Sequence, residues 1–288
     1  AAASDVYKRQ IYMSDKIFLD YQSTTPVSKE VLEKMIPFFS ENFGNPHSNN
    51  HEFGIMANNV VEEARGNVAN LINAQKSEII FTSGATESNN FAIKSIANNF
   101  FEKDCQIITV KTEHKCVLES CHTLDQEGFD VFYLDVNEEG LINLDELENL
   151  LKKRKSLVSV MSANNEIGVL QPIKEIGDLC KKYNSIFHSD VAQSLGTQKI
   201  DVDELNIDAL SISAHKIYGP KGIGALYISN EIKNSLRPLI SGGGQEMNLR
   251  SGTLSPALCI GLGAVSYTHL RAHETREDRV LGVVRVKK

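Results

Sequence analysis

Short apolar runs recur along this chain, each closed by polar or glycine-rich residues and followed by a stretch of helical period. The runs cover residues 78–82, 106–110, 131–136, 157–161, 185–188, 207–212 and 225–228. At four to six residues they are too short for helices and read as buried strands. Between them the spacing predicts helices over Ser28–Ser40, Met56–Ile72, from the Ser83–Ser88 turn to about Asn98, over Asn143–Lys155 and over 173–183 behind Pro172. Pro37 ends or kinks the first of these, because its ring removes a helical donor. Residues 17–26 form a short apolar start and a polar turn. Phe43–Gly54 is a loop whose two histidines, His47 and His51, are assigned no metal. Strands that alternate with helices predict an α/β fold, a mostly parallel sheet between helices. No internal repeat or low-complexity linker interrupts the pattern.

Composition narrows the function more than the fold. A net charge of −7, with no basic stripe carrying interleaved aromatics, argues against nucleic acid as a partner. No apolar run approaches the length of a membrane span, and no signal peptide is recognised. The five cysteines form no C-x-x-C pair and are odd in number, which points to a reducing compartment rather than a disulfide framework or zinc site. The ends differ from the middle. Met13 reads as a natural start, so residues 1–12 are taken as a non-native or disordered leader. Residues 13–265 make one cofactor-binding domain with its N-terminal segment. Residues 266–288 carry six Lys/Arg against three Asp/Glu and are read as a foreign tail; a basic C-terminal helix is the other reading.

In a doubly wound sheet, ligands bind outside the carboxyl ends of the strands. Those ends here carry Thr86, His114, Asn165, Asp190, Gln193, His215 and Lys216. The Ser83–Ser88 turn between a strand and a helix offers free N–H groups, a helix dipole and hydroxyls to an anion. It matches neither the ATP P-loop nor the dinucleotide fingerprint, and a plain helix capped by Thr86 or Ser83 is its other reading. Lys216 sits at a strand end beside His215 and Ser213, before a turn built from Gly219, Pro220, Gly222 and Gly224. A lysine amine is nucleophilic only when neutral, and burial or a nearby positive charge favours that form. A solvated loop lysine is the plainer alternative, as a satisfied loop histidine is for His114. Together, a phosphate cradle, a carboxylate, an amide and a lysine at successive strand ends fit pyridoxal 5′-phosphate. The phosphate takes the helix start, Asp190 the ring nitrogen and Lys216 the aldehyde.

Six stretches carry a resemblance: Thr82-Ser-Gly-Ala-Thr-Glu-Ser88, Thr112-Glu-His-Lys115, Asn164-Asn-Glu-Ile-Gly168, His188-Ser-Asp-Val-Ala-Gln193, Ser213-Ala-His-Lys-Ile-Tyr-Gly-Pro-Lys-Gly222 and Arg250-Ser-Gly-Thr253. Over about residues 17–265 the chain resembles the cysteine desulfurases of the class V aminotransferase group, of the housekeeping iron–sulfur assembly type. The resemblance implies the pyridoxal-phosphate-dependent transferase fold with its aspartate aminotransferase-like large domain, the small C-terminal domain being largely missing. It implies that Lys216 holds the cofactor covalently and then moves protons, with Lys221 as the rival by position. Ala85 and Thr86 would bind the phosphate, with Ser213 and His215 as further donors. Asp190 would pair with the ring nitrogen, Asn165 and Gln193 would approach the ring substituents, and His114 would stack on the ring. Thr253 would reach the phosphate of a partner subunit, which implies a homodimer. Ser189 and Ala214 depart from many relatives without threatening the chemistry.

By the same resemblance the substrate is L-cysteine, the products are L-alanine and an enzyme-bound persulfide sulfur, and the partners are iron–sulfur scaffold and sulfur-acceptor proteins. The compartment is the bacterial cytoplasm or the mitochondrial matrix. The family's sulfur-accepting cysteine and its carboxylate-binding arginine lie downstream of Arg250–Thr253, past the point where the resemblance stops. Cys259 is not that cysteine and reads as core packing. The chain is therefore expected to bind cofactor but to turn over poorly. Two alternatives stand beside this reading. One is a selenocysteine lyase or other class V enzyme; the other is a non-catalytic assembly partner or a misassembled gene fragment.

Overall fold

The computed structural model describes residues 17–101 and 104–269. In chain order they form α1 (Lys29–Met35), α2 (Pro37–Ser40), α3 (Glu52–Leu71), β1 (Ile79–Thr82), α4 (Ala85–Ser95), β2 (Gln106–Val110), α5 (Lys115–Gln126), β3 (Asp130–Leu134), α6 (Leu144–Leu151), β4 (Ser156–Ser159), α7 (Ile173–Lys182), β5 (Ile186–Asp190), β6 (Ala209–Ser213), β7 (Gly224–Ile228) and α8 (Asn230–Lys233). A last helix, α9, covers residues 256–269. Among the described residues the strands make one seven-stranded sheet in the order β1-β7-β6-β5-β4-β2-β3. The pairs β6–β5, β5–β4, β4–β2 and β2–β3 are parallel, whereas β7 runs antiparallel to both β6 and β1. The mostly parallel α/β sheet expected from the pattern is present. Its one reversal arises because only a tight turn, too short for a crossover helix, separates β6 from β7.

The side-chain alternation of the strands divides the core into two layers. Ile79 and Phe81 of β1, Ile108 of β2, Val158 of β4 and Phe187 of β5 face a cluster with α3, α6, α7 and α9. Their neighbours Ile80, Ile107, Leu157 and Ile186 face a second cluster with α4 and α5. Both faces of the sheet are covered, so the strands read as apolar runs rather than as alternating ones.

Several boundaries differ from the sequence reading. Pro37 splits the first predicted helix into α1 and α2. Helix α3 begins at Glu52, because the His51 side chain caps it by accepting the Gly54 N–H at 3.1 Å. Helix α6 ends at Leu151, and β4 starts at Ser156. Helix α5 was not anticipated. Its inward stripe of Val117, Cys121 and Leu124 follows helical spacing but is diluted by the buried Ser120 and by Cys121, which a hydrophobic pattern weighs lightly. Residues 266–269, placed by sequence in the foreign tail, continue α9, and the buried Ser266 donates to the Leu262 carbonyl at 2.8 Å. Residues 1–12 and 270–288 lie outside the described residues.

One further contact fixes the segment that approaches the sheet edge. Glu246, Met247 and Asn248 follow one another with φ of 49°, 58° and 64°. This left-handed run costs about 1–2 kcal/mol per residue. A buried ion pair holds it: Arg65 Nη1 and Nη2 donate to the Glu246 carboxylate at 2.8 and 2.7 Å. Downstream, Arg250 Nε donates to Glu87 Oε1 at 2.8 Å, tying the same segment to the first turn of α4.

Candidate active site

The carboxyl ends of the parallel strands open into a cleft of about 740 Å³. One wall is the start of α4. The first N–H groups of a helix have no intrahelical acceptor, and here they belong to Ala85 and Thr86, which line the cleft beside Ser83. Gly84 precedes them with φ 151°, a conformation side chains rarely adopt. It must also pass close to β7, since a Cβ at Gly224 would stand 2.7 Å from the Gly84 Cα. Glu87 receives the Ser83 N–H at 2.7 Å as well as Arg250, and these bonds outweigh burial in holding its carboxyl below the ordinary range.

The floor is Asp190, the last residue of β5, whose side chain is buried. Its Oδ2 accepts from Asn89 Nδ2 at 2.6 Å and its Oδ1 from the Ala192 N–H at 2.9 Å. Burial raises its pKa; the two donors, with His114 and Lys216 nearby, oppose that rise. His188, two residues earlier in the same motif, stays out of the cleft. It is buried within the sheet between Ser159 Oγ and Ser211 Oγ at 2.9 and 3.0 Å, and burial lowers its pKa to about 3, so it is neutral.

The amine enters from the neighbouring strand. Strand β6 ends at the buried Ser213, and a single 3-10 turn over Ala214–Lys216 carries Lys216 into the cleft. Lys216 is half-buried, and this burial lowers its pKa against the pull of Asp190 and Asp20. Its Nζ donates to the Gln22 carbonyl, which also accepts from Gln193 Nε2 at 3.0 Å. The 20–25 segment is thus folded over the lysine, held by Thr25, whose N–H donates to the His215 carbonyl at 2.9 Å. His215 Nδ1 meets Thr24 Oγ1 at 3.1 Å. Lys221 lines the same cleft but is exposed.

His114 lines the cleft from the start of α5. It caps α5, its Nδ1 accepting the Cys116 N–H at 3.2 Å, and it is exposed toward the cleft. Asn165 lines the cleft at the end of the β4 loop and donates to Glu166 at 3.0 Å. Ala85, Thr86, His114, Asn165, Asp190, Gln193, Ser213, His215 and Lys216 are therefore brought together. Thr253 is not among the cleft residues of its own chain and is exposed.

Sequence reasoning passed over three groups here. Asn89 lies one helical turn after Ala85 and faces Asp190. Its position on the cradle helix is a signal that i, i+4 spacing could have supplied. Cys116 lines the cleft with its Sγ 3.0 Å from His114 Nδ1. Glu113 is buried; its Oε1 accepts the Met161 N–H, and burial raises its pKa well above the ordinary range. No sequence pattern marks either of the last two. Among the described residues, no group of three or more His, Cys, Asp and Glu is placed to hold a metal.

The donor set fits a phosphorylated pyridine aldehyde. Free helix-start N–H groups suit a phosphate, a buried carboxylate with acceptor capacity left on both oxygens suits a protonated ring nitrogen, and a lysine of lowered pKa suits an aldehyde. The other four cysteines are buried in the core, and burial pushes the Cys105, Cys121 and Cys259 thiols up to about 12.

The aminotransferase class-V family model matches residues 17–275. Cysteine desulfurase IscS of Rickettsia bellii is 56% identical over 250 residues, covering 87% of this chain and 61% of that protein. The mitochondrial cysteine desulfurase of Eremothecium gossypii is 54% identical over 272 residues, covering 92% of this chain and 56% of that protein. The chain thus spans about three fifths of the length of these curated relatives. A solved structure of SspA in complex with cysteine superimposes with a TM-score of 0.83 at 45% identity, over 87% of this chain and 72% of that one.

Proposed function

The chain belongs to the class-V aminotransferase family, and from that premise we propose that it is the cofactor-binding part of a pyridoxal-phosphate-dependent cysteine desulfurase. The observation that carries this reading is the placing of Lys216 and Asp190, at the ends of adjacent strands, in one cleft with the start of α4. When bound, pyridoxal 5′-phosphate supplies an aldehyde for covalent capture of an amino acid and a ring that accepts electrons released at its Cα.

The chain's own residues do the rest. Ala85 and Thr86 receive the phosphate through backbone N–H groups and a hydroxyl, with Ser213 and His215 as further donors. Asp190 would keep a proton on the ring nitrogen by offering it a buried negative charge. His114 would cover the ring, and Asn165 and Gln193 would serve its substituents. The neutral amine of Lys216 would hold the cofactor and would carry the proton to and from the substrate Cα. A lowered pKa makes that neutral form available closer to neutral pH than for a free lysine. We extend the reading to L-cysteine as substrate, to a homodimer in which Thr253 serves the partner's phosphate, and to delivery of sulfur to iron–sulfur scaffold proteins.

Sulfur transfer needs an accessible thiolate, and none of the five cysteines offers one. Four are buried, and Cys116 is half-buried with its thiol pKa raised by burial. The 288-residue chain loaded with cofactor is therefore expected to exchange the α-proton of L-cysteine in deuterium oxide while releasing neither alanine nor sulfide catalytically in the presence of a reductant. The comparison is with a chain to which a family-like C-terminal domain has been joined. Equal turnover by both would contradict the expectation and make Cys116 and Cys259 the next residues to replace. Absence of α-proton exchange would remove Lys216 from its role.

A further inference from the structure

Asn89 has its amide wedged between two groups of the cleft. Its Nδ2 lies 2.6 Å from Asp190 Oδ2 and 3.1 Å from Cys116 Sγ, and Cys116 Sγ in turn lies 3.0 Å from His114 Nδ1. The residue is fully buried, and its Oδ1 has no hydrogen-bond partner among the described residues. A buried amide oxygen without a donor is costly, so something other than its own satisfaction fixes the amide. Turning the amide over would give that oxygen a new environment but would set it 2.6 Å from the carboxylate, acceptor against acceptor. The nitrogen therefore faces Asp190. The backbone of α4 sets this direction, since Asn89 stands on the turn after Ala85.

The geometry points to Asn89 as a positioning residue: it fixes the Asp190 carboxylate in its ionised form and orientation, and through Cys116 it shares that frame with His114. Each Asp190 oxygen takes one donor from the protein, Asn89 on one and the Ala192 N–H on the other, which leaves the outer lone pairs for a ring N–H. Among the described residues His114 and Lys216 also favour the Asp190 charge, and both line the open cleft. Glu113 and Cys116 face it as groups that would repel its charge if they ionised. Asn89 is thus, among the described residues, the one side chain that donates to this carboxylate from within the core. The assignment rests on the reading of Asp190 given above.

The test uses the 288-residue chain without cofactor, with 13C-labelled aspartate, and follows the Asp190 carboxyl by NMR as a function of pH in the parent and in Asn89→Ala. A hydrogen bond to a charged group can move such a midpoint by about one to two units. The bond favours the ionised form, so its removal is expected to raise the midpoint by that amount. In parallel, affinity for added pyridoxal 5′-phosphate, read by visible absorbance, is expected to fall roughly tenfold. A midpoint displaced by less than about 0.3 unit in a folded variant overturns the proposal. If Asn89→Ala does not fold, the parent alone decides: the Asn89 side-chain amide protons should shift with the Asp190 midpoint, and an amide indifferent to it overturns the proposal. A parent that binds no cofactor would refute the functional reading, while the Asp190 midpoint would still judge Asn89.

Discussion

Replacing Lys216 with alanine is expected to abolish borohydride-fixable cofactor and to slow α-proton exchange of L-cysteine by about 10²- to 10⁴-fold, the usual worth of a positioned proton-transfer group. The fold should be indifferent to the change. Lys216 is half-buried, and the partner of its amine is the Gln22 carbonyl, which keeps the Gln193 amide. Changes of this kind stay near 0.5 kcal/mol, so the melting temperature should hardly move. Lys221→Ala supplies the contrast, because Lys221 is exposed at the mouth of the same cleft. Mass spectrometry of the exchanged cysteine reads both variants. Exchange within a few-fold of the parent in Lys216→Ala, or its loss in Lys221→Ala alone, would transfer the role to the second lysine.

Asp190→Ala is expected to weaken cofactor retention roughly 10- to 100-fold, the range of a hydrogen bond to a charged group, and to disable α-proton exchange. Stability should behave differently. Burial raises the Asp190 pKa in the folded state. A carboxyl with a raised folded pKa contributes stability that is fully present below its unfolded pKa and is lost as pH rises through the folded value. At neutral pH the native carboxylate therefore burdens the fold, and its removal relieves that burden. The Asn89 amide and the Ala192 N–H lose their acceptor in return, at about 1–3 kcal/mol each if they stay unsatisfied. These opposing effects leave a variant that folds. Titration with pyridoxal 5′-phosphate by visible absorbance and urea denaturation at pH 7 separate the two effects. Full cofactor affinity in a folded Asp190→Ala protein would show that the carboxylate does not serve the ring nitrogen.

Much of this site could be read along the chain because strand ends are marked twice. The apolar run stops, and a polar residue that the core has no use for follows at once. Thr86, Asp190 and Lys216 each sit at such a stop, and the parallel topology brings the stops to one edge. Helix α5 escaped because its inward positions include Ser120 and Cys121, which a hydrophobic pattern weighs lightly, yet both are buried. Strand β7 was seen, but its direction depends on the turn from Gly219 to Gly224 and not on its own side chains. Asn89 and Cys116 were missed for another reason. Their significance is a meeting between α4 and α5 across 27 positions; the i, i+4 spacing of Asn89 from Ala85 puts it on the cradle helix but does not reveal that meeting, and nothing local marks Cys116. The ion pair of Arg65 with Glu246 spans 181 positions and is equally silent in one dimension.

The central claim is that this cleft takes pyridoxal 5′-phosphate on one particular amine. The purified chain should be incubated with the cofactor, reduced with borohydride, digested and mapped by mass spectrometry. The account predicts a single phosphopyridoxyl label, carried by Lys216 on the peptide that follows β6. A label on Lys221, a spread of labels over exposed lysines, or a chain that takes up no cofactor would contradict it.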